Sequence, residues 1–198
     1  IICLSPGMKK ELGSIISENK ITIITNLSDV LGFQKQQEKS KISIPIAKNS
    51  PIILYAGSFG RINGVVYLVE IAKEMFKINP NLYFLLAGDG YDKKKIIDTS
   101  KKYGLFNKTL YCLDYVSKDQ IPKLLSRATV TTSLFINLPE MENNSANKFF
   151  DGLAAGKPIM INYGGWQADL IKDTGSGFRI PSNDAINSAK IINEILTD

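Results

Sequence analysis

The chain has 198 residues, 44% of them apolar, and a net charge of +5 from 24 basic and 19 acidic side chains. That length suits one α/β domain with an appendage, and the apolar share excludes a disordered chain. No apolar run approaches the roughly eighteen residues of a membrane span, and the absence of histidine excludes His-based triads and the commonest zinc sites.

The lysines are scattered in short clusters ("MKK", "YDKKKI", "SKK"), as on a solvated surface. The mild basic balance also suits an anionic substrate or a membrane-proximal surface. It is too dispersed for nucleic acid, and no aromatic–basic interleaving of the single-strand-binding kind occurs. Cys3 and Cys112 are far apart and outside any CxxC, which suggests a reducing, cytoplasmic setting. The opening "IICLSPGMKKELG" has no leading Met and no signal-peptide order, so the chain reads as a piece of something longer.

Residues 6–18 are expected as a helix leading to the strand-like "KITIIT". The polar stretch "NLSDVLGFQKQQEKSKISIPIAKNSP" is expected as a linker or long exposed loop. After Pro51 the pattern becomes regular. "IILYAG" is a continuous apolar run, as in a buried parallel strand. "GVVYLVEIAKEMFKINP" follows with Val65, Leu68, Val69, Ala72, Met75 and Phe76 at helical spacing. Next come strand "LYFLLAG", helix "YDKKKIIDTSKKYG" ending on Gly104, strand "TLYCLDYV", helix "KDQIPKLLSRA" and strand "TVTTSLFI". A helix from about Asn144 to Ala155 leads to strand "PIMINY" and a helix from Trp166 to Asp173. Strand "GFRIP" and a closing helix "NDAINSAKIINEILTD" finish the chain. This alternation predicts an α/β fold, a Rossmann-like doubly wound parallel sheet with ligands beyond the carboxyl ends of the strands.

The loops that follow strands are therefore the ones to weigh. "AGSFGRING" places Gly57, Gly60 and Gly64 before a helix. It reads either as a tight strand-to-helix turn or as an anion cradle to which Arg61 adds charge. In "LAGDGYDK", Asp89 follows a strand, and a turn with Asp89 as helix N-cap explains it. In "CLDYVSKDQ", Ser117 suits an N-cap, and Tyr115 and Val116 are placed to flank a flat base. "NYGGWQADL" is either a close-approach loop or a plain turn at Gly164 and Gly165.

The richest stretch is "NNSANKFFDGLAAGKP", residues 143–158. Ala146, Phe149, Phe150, Leu153 and Ala154 form an apolar helical stripe. Asn144, Lys148 and Asp151 form a second, polar stripe, and Asn147 and Asp151 are one turn apart. On the ligand side of the sheet, the helix N-terminus and Lys148 suit a phosphate, and Asp151 suits a pair of sugar hydroxyls. The plainer alternative is a solvated face with a Lys148–Asp151 pair worth roughly 0.2–0.5 kcal/mol.

"ILYAGSFGRINGVVYLVEIAKEM", "FLLAGDG", "QIPKLLSRATVTTSL" and "ANKFFDGLAAGKPIMINYGGW", in that order, resemble the C-terminal, donor-binding domain of retaining glycosyltransferases with the GT-B fold. Within these, family 4 enzymes of bacterial capsule and O-antigen synthesis are most similar, with "NKFFDGLAAGKP" the specific signature. The resemblance implies that residues 1–29 are the tail of an N-terminal domain, 30–50 an interdomain linker, and 51–198 the nucleotide-sugar-binding domain. Asn26 and Asp29 match the outer positions of the family's turn between domains.

The resemblance also implies sugar transfer with retention from a nucleotide-sugar, UDP-linked by family habit, to a lipid-linked saccharide acceptor, with no cofactor and no metal. It implies a cytoplasmic protein at the inner face of the plasma membrane, nearly inactive as this fragment alone. Of the family's Glu-x7-Glu pair, the ribose-holding second Glu matches Asp151. The first, which touches the donor sugar, matches Asn143, with Glu142 adjacent. The Arg and Lys of the first phosphate loop match Ser58 and Asn63, leaving Arg61 and Lys148 as cations. Gly57, Ser58, Phe59 and Gly60 are expected as backbone contacts, and Asn144, Ser145, Asn147 and Lys148 line the donor helix. A sugar-nucleotide epimerase of the same fold and a non-catalytic nucleotide-binding module remain as alternatives.

Overall fold

The computed structural model describes residues 1–197. In chain order the elements are β1 (Ile2–Cys3), α1 (Pro6–Gly13), β2 (Thr22–Ile23), α2 (Val30–Lys39), β3 (Ile52–Ala56) and α3 (Val66–Ile78). Then come β4 (Tyr83–Ala87), α4 (Lys93–Lys102), β5 (Leu110–Leu113), α5 (Ile121–Ser126) and β6 (Val130–Ser133). The chain closes with α6 (Asn147–Ala154), β7 (Ile159–Ile161), α7 (Trp166–Thr174), β8 (Gly177–Arg179) and α8 (Ala185–Thr197). Asp198, the last residue of the expected closing helix, lies outside the described residues.

The six strands β3–β8 form one sheet in the order β5-β4-β3-β6-β7-β8, and every pair is parallel. The apolar runs explain it. Ile52, Ile53, Leu54 and Tyr55 of β3 are all buried, so both faces of this central strand need cover. On one face α3 turns Leu68, Val69, Ala72 and Met75 inward, beside Ile96 of α4 and Ala189 and Ile192 of α8. On the other, Leu124 and Leu125 of α5 meet Leu54 and Leu85. There too Phe149 of α6 and Ile171 of α7 pack on Ile159 and Ile161. Burying a phenylalanine such as Phe149 completely is worth about 1.5–3 kcal/mol.

From β3 the chain winds outward through β4 and β5, then returns to the other side of β3 and winds through β6, β7 and β8. The strand order thus reverses between β3 and β6, and the crevice at their carboxyl ends is where ligands of doubly wound sheets bind.

Two expectations need correction. The stretch expected as an exposed linker contains α2, whose first turn is capped by Asp29 accepting from the Gly32 N–H at 2.9 Å. The segment is otherwise largely exposed, as expected, but Phe33, Ile42, Ile44 and Ile46 pack with Leu124 and Leu125. "KITIIT" gives only the two residues of β2, paired in parallel with β1 as a separate small sheet. The stretch between α1 and β2 carries a short 3-10 turn, Glu18–Lys20.

Candidate functional site at the β3–β6 crevice

After β3 the chain folds back on the turn that follows β4. Gly57 donates its N–H to Ala87 O at 2.9 Å and Phe59 donates to Asp89 O at 2.8 Å. These closures commit the Gly57 and Phe59 donors, expected to face an anion, to the loop itself. The N–H groups of Ser58 and Gly60 are not part of them. The Ser58 carbonyl is tied from below, accepting from the Tyr55 hydroxyl at 2.7 Å and Asn63 Nδ2 at 3.0 Å. Arg61 is directed at Tyr91. Its guanidinium stacks 3.8 Å over the Tyr91 ring, hydrogen-bonds the Tyr91 hydroxyl, and lines a cavity of about 580 Å³ with Gly64, Tyr67, Lys95, Phe135, Ile136 and Asn162, which Lys148 does not line. The structure does not bring Arg61 to Lys148.

Lys148 lies within the crevice. Its Nζ donates to Asn63 Oδ1 at 2.8 Å and sits 5.2 and 5.3 Å from the ring centres of Tyr55 and Phe135. Both distances suit cation–π attraction. No carboxylate pairs with it among the described residues. Burial pushes its pKa down to about 8. Asp151, one turn on, accepts from Ser28 Oγ at 2.5 Å on Oδ1. Burial raises its pKa and the Ser28 hydrogen bond works against that rise. The Lys148–Asp151 pair of the plainer sequence reading is therefore not made, although both side chains border one small cavity with Ala56, Thr131 and Thr132.

The start of α6 is also corrected. The helix begins at Asn147, not Asn144, because Asn144 builds a turn of its own. Its Oδ1 accepts from the Ala146 N–H at 3.2 Å, its Nδ2 donates to Met141 O, and its carbonyl accepts from Trp166 Nε1 at 2.8 Å. Asn144 is thereby removed from the polar stripe, and Ala146 becomes the extended N-cap residue rather than part of the apolar face. Asn147 is exposed at the first turn, where N–H groups have no partner within a helix. Ser145 receives Asn26 Nδ2 on its carbonyl at 2.5 Å, while its buried Oγ has no partner among the described residues.

Glu142 and Asn143 point to opposite sides. Gly165 has φ 78°, and a Cβ there would stand 2.2 Å from the Glu142 carbonyl, so the loop rests on a turn that only glycine allows. The Glu142 side chain borders a polar cavity of about 160 Å³ with Asn162, Tyr163 and Arg179. Asn143 faces α1. Its carbonyl accepts from Ser5 Oγ at 2.5 Å, and its amide fills the space 1.8 Å from where a Gly7 Cβ would be. Among the described residues, no hydrogen bond or ion pair joins either to Lys148 or Asp151.

The remaining expected residues lie further out. Tyr115 is exposed and Val116 packs with the α5 side of the core. Asp89 is not the cap of α4, which starts after Asp92; its Oδ1 accepts from the Gly90 N–H at 2.8 Å and faces Lys93 at 3.6 Å. The sequence marks Asn26 only as a turn position and gives Ser28 no role. A polar turn directly before a cap residue was their one local signal.

Comparison with known proteins agrees with this architecture. The chain is 22% identical over 205 residues to an uncharacterized glycosyltransferase of Methanocaldococcus jannaschii, covering 100% of this chain and 51% of that one. It is 22% identical over 168 residues to the lipopolysaccharide 1,2-N-acetylglucosaminetransferase of Salmonella typhimurium, covering 80% and 42%. The chain thus spans about half the length of the curated relatives it matches. Among solved structures, Anabaena HepE in complex with UDP superposes with a TM-score of 0.80 at 16% identity, covering 100% of this chain and 54% of that one. The model of the family described as glycosyl transferases group 1 matches residues 36–198, from within α2 to the chain's end, and the chain belongs to that family.

Proposed function

We propose that this chain is the donor-binding portion of a glycosyltransferase that moves a sugar, with retention, from a UDP-sugar to a lipid-linked saccharide. The observation that carries the reading is Lys148, an enclosed ammonium with no carboxylate partner among the described residues, held at the strand-order reversal in the first turn of α6. A cation held by a neutral amide keeps its charge for an anion.

In this reading the diphosphate lies against Lys148, the α6 N-terminus and the free N–H groups of the Gly57–Gly60 turn. Asp151 accepts from the ribose hydroxyls, the base lies toward Tyr115 and Val116, and the 139–143 loop borders the sugar. The anomeric C–O bond to the diphosphate breaks and a C–O bond to the acceptor hydroxyl forms on the same face. The hydroxyl proton leaves with the diphosphate, whose charge Lys148 and the helix terminus stabilise. UDP is favoured because the HepE structure carries it, and a lipid-linked acceptor because the Salmonella relative acts on lipopolysaccharide. No helix among the described residues is long and apolar enough to cross a membrane; work at the inner face of the plasma membrane is proposed from the lipid-linked acceptor alone.

Calorimetric titration with UDP, GDP and ADP tests the reading on the parent, Lys148→Met and Asp151→Ala. UDP binding that both variants weaken at least about tenfold supports it. GDP or ADP binding in place of UDP changes the donor class. Equal binding by parent and both variants removes the site.

A further inference from the structure

The turn after β2 reaches α6 and the residue before its N-cap with two side chains. Asn26 Nδ2 donates to the Ser145 carbonyl and Ser28 Oγ to Asp151 Oδ1, both at 2.5 Å, across 119 and 123 residues of sequence. The turn is held from the other side as well, because the next residue, Asp29, caps α2. Ser28 is therefore not a loose surface hydroxyl but a donor anchored at both ends of its turn. Asp151 has one oxygen taken and, among the described residues, no partner on Oδ2. The terminal torsion of an aspartate is broad, so a donor fixed on one oxygen sets the plane of the carboxylate and the direction of the other.

We infer that Ser28 is a positioning residue of the nucleotide site: its hydroxyl holds Asp151 Oδ1 so that Oδ2 accepts from the paired hydroxyls of a ribose. The inference rests on the function proposed above and extends the donor site to a residue that precedes the matched family region. The opposite arrangement, with Ser28 as a placeholder that a ribose displaces, predicts the opposite sign for its removal.

The test titrates the full chain with UDP and 2′-deoxy-UDP, comparing parent, Ser28→Ala, Ser28→Val and Ser28→Thr, with thermal unfolding to show that each variant folds. Removing a hydrogen bond to a charged group is expected to weaken UDP binding about tenfold in the Ala and Val variants. The preference for UDP over the deoxy ligand should collapse in the same two, and Thr should restore both. UDP binding unchanged or tightened in Ser28→Ala overturns the inference. So does weakened binding with the ribose preference intact, which marks a merely structural contact. A parent that binds no UDP overturns the proposed function and this inference together. A parent whose UDP binding falls in Asp151→Ala but not in the Ser28 variants overturns the inference alone.

Discussion

Lys148 Nζ donates to Asn63 Oδ1 at 2.8 Å across 85 residues of sequence, so an enclosed ammonium rests on a neutral amide. A carboxylate there would cancel its charge; the amide leaves it uncompensated beside the first turn of α6. An uncompensated charge in a desolvated place costs stability, and sites of this kind give up stability for binding.

Lys148→Met should therefore separate stability from binding. The unbranched side chain keeps the packing under Tyr55 and Phe135 without a charge to desolvate. We expect the melting temperature to rise by about 2–4 °C, the shift for roughly 1 kcal/mol in a chain of this size. UDP affinity should fall by at least about tenfold. A lower melting temperature in differential scanning calorimetry would show that the ammonium stabilises the fold.

The pH dependence follows from the same group. Burial depresses the Lys148 pKa to about 8, against about 10.4 for an ordinary lysine. Between those values the unfolded chain holds a proton that the folded chain lacks, so the Lys148 contribution to stability rises with pH there and is least favourable below about 8. Diphosphate binding favours the charged form and takes up a proton. Asp151 is the other titratable group bordering the small cavity, and the Tyr55 phenol is pushed up by its own burial. UDP affinity should weaken above pH 8 by up to about tenfold per pH unit. Calorimetry in buffers of different ionisation enthalpy should report the proton uptake, and Lys148→Met should lose both effects.

Gly165→Ala should displace the 139–143 loop. A Cβ would stand 2.2 Å from the Glu142 carbonyl, and the φ of 78° is strained for any side chain. Strain of this kind costs about 1–3 kcal/mol. We expect a lower melting temperature, while UDP affinity changes less than in Lys148→Met. Unchanged unfolding would show that the loop yields freely.

Asp29→Ala should cost about 1 kcal/mol, the usual value of an N-cap side chain. Hydrogen exchange should then rise across Val30–Lys39 before it rises in β3. A change elsewhere but not in α2 would argue against the cap.

Much of the fold could be read from local pattern. Continuous apolar runs such as Ile52–Ala56 mark buried parallel strands, and the spacing of Leu68, Val69, Ala72 and Met75 marks the covering face of α3. Lys148 and Asp151 stood out because one helix carries both. What was hidden depends on distant or strictly local hydrogen bonds. Nothing near Asn63 or Ser28 in sequence announces a partner 85 or 123 residues away. Asn144 looked helical by spacing, yet its side chain takes the Ala146 N–H and ends the helix pattern early. In α2 the helical signal is weak because of Gly32 and because the apolar residues stop after Phe33, leaving no continuous stripe, while Asp29 supplies the cap.

The double attachment of the 26–28 turn, to Ser145 and to Asp151 of α6, has a geometric consequence. Ile24 is still tied to the small sheet, its N–H donating to Cys3 O at 2.9 Å, and Asn26 is already tied to Ser145. Only Thr25 lies between the two anchors. With one residue between them, the backbone torsions of Thr25 set the angle between these two attachments. The Ser5–Asn143 hydrogen bond adds a separate tie between α1 and the 139–143 segment, so the β1–α1–β2 unit is fastened to the larger sheet at places far apart in sequence.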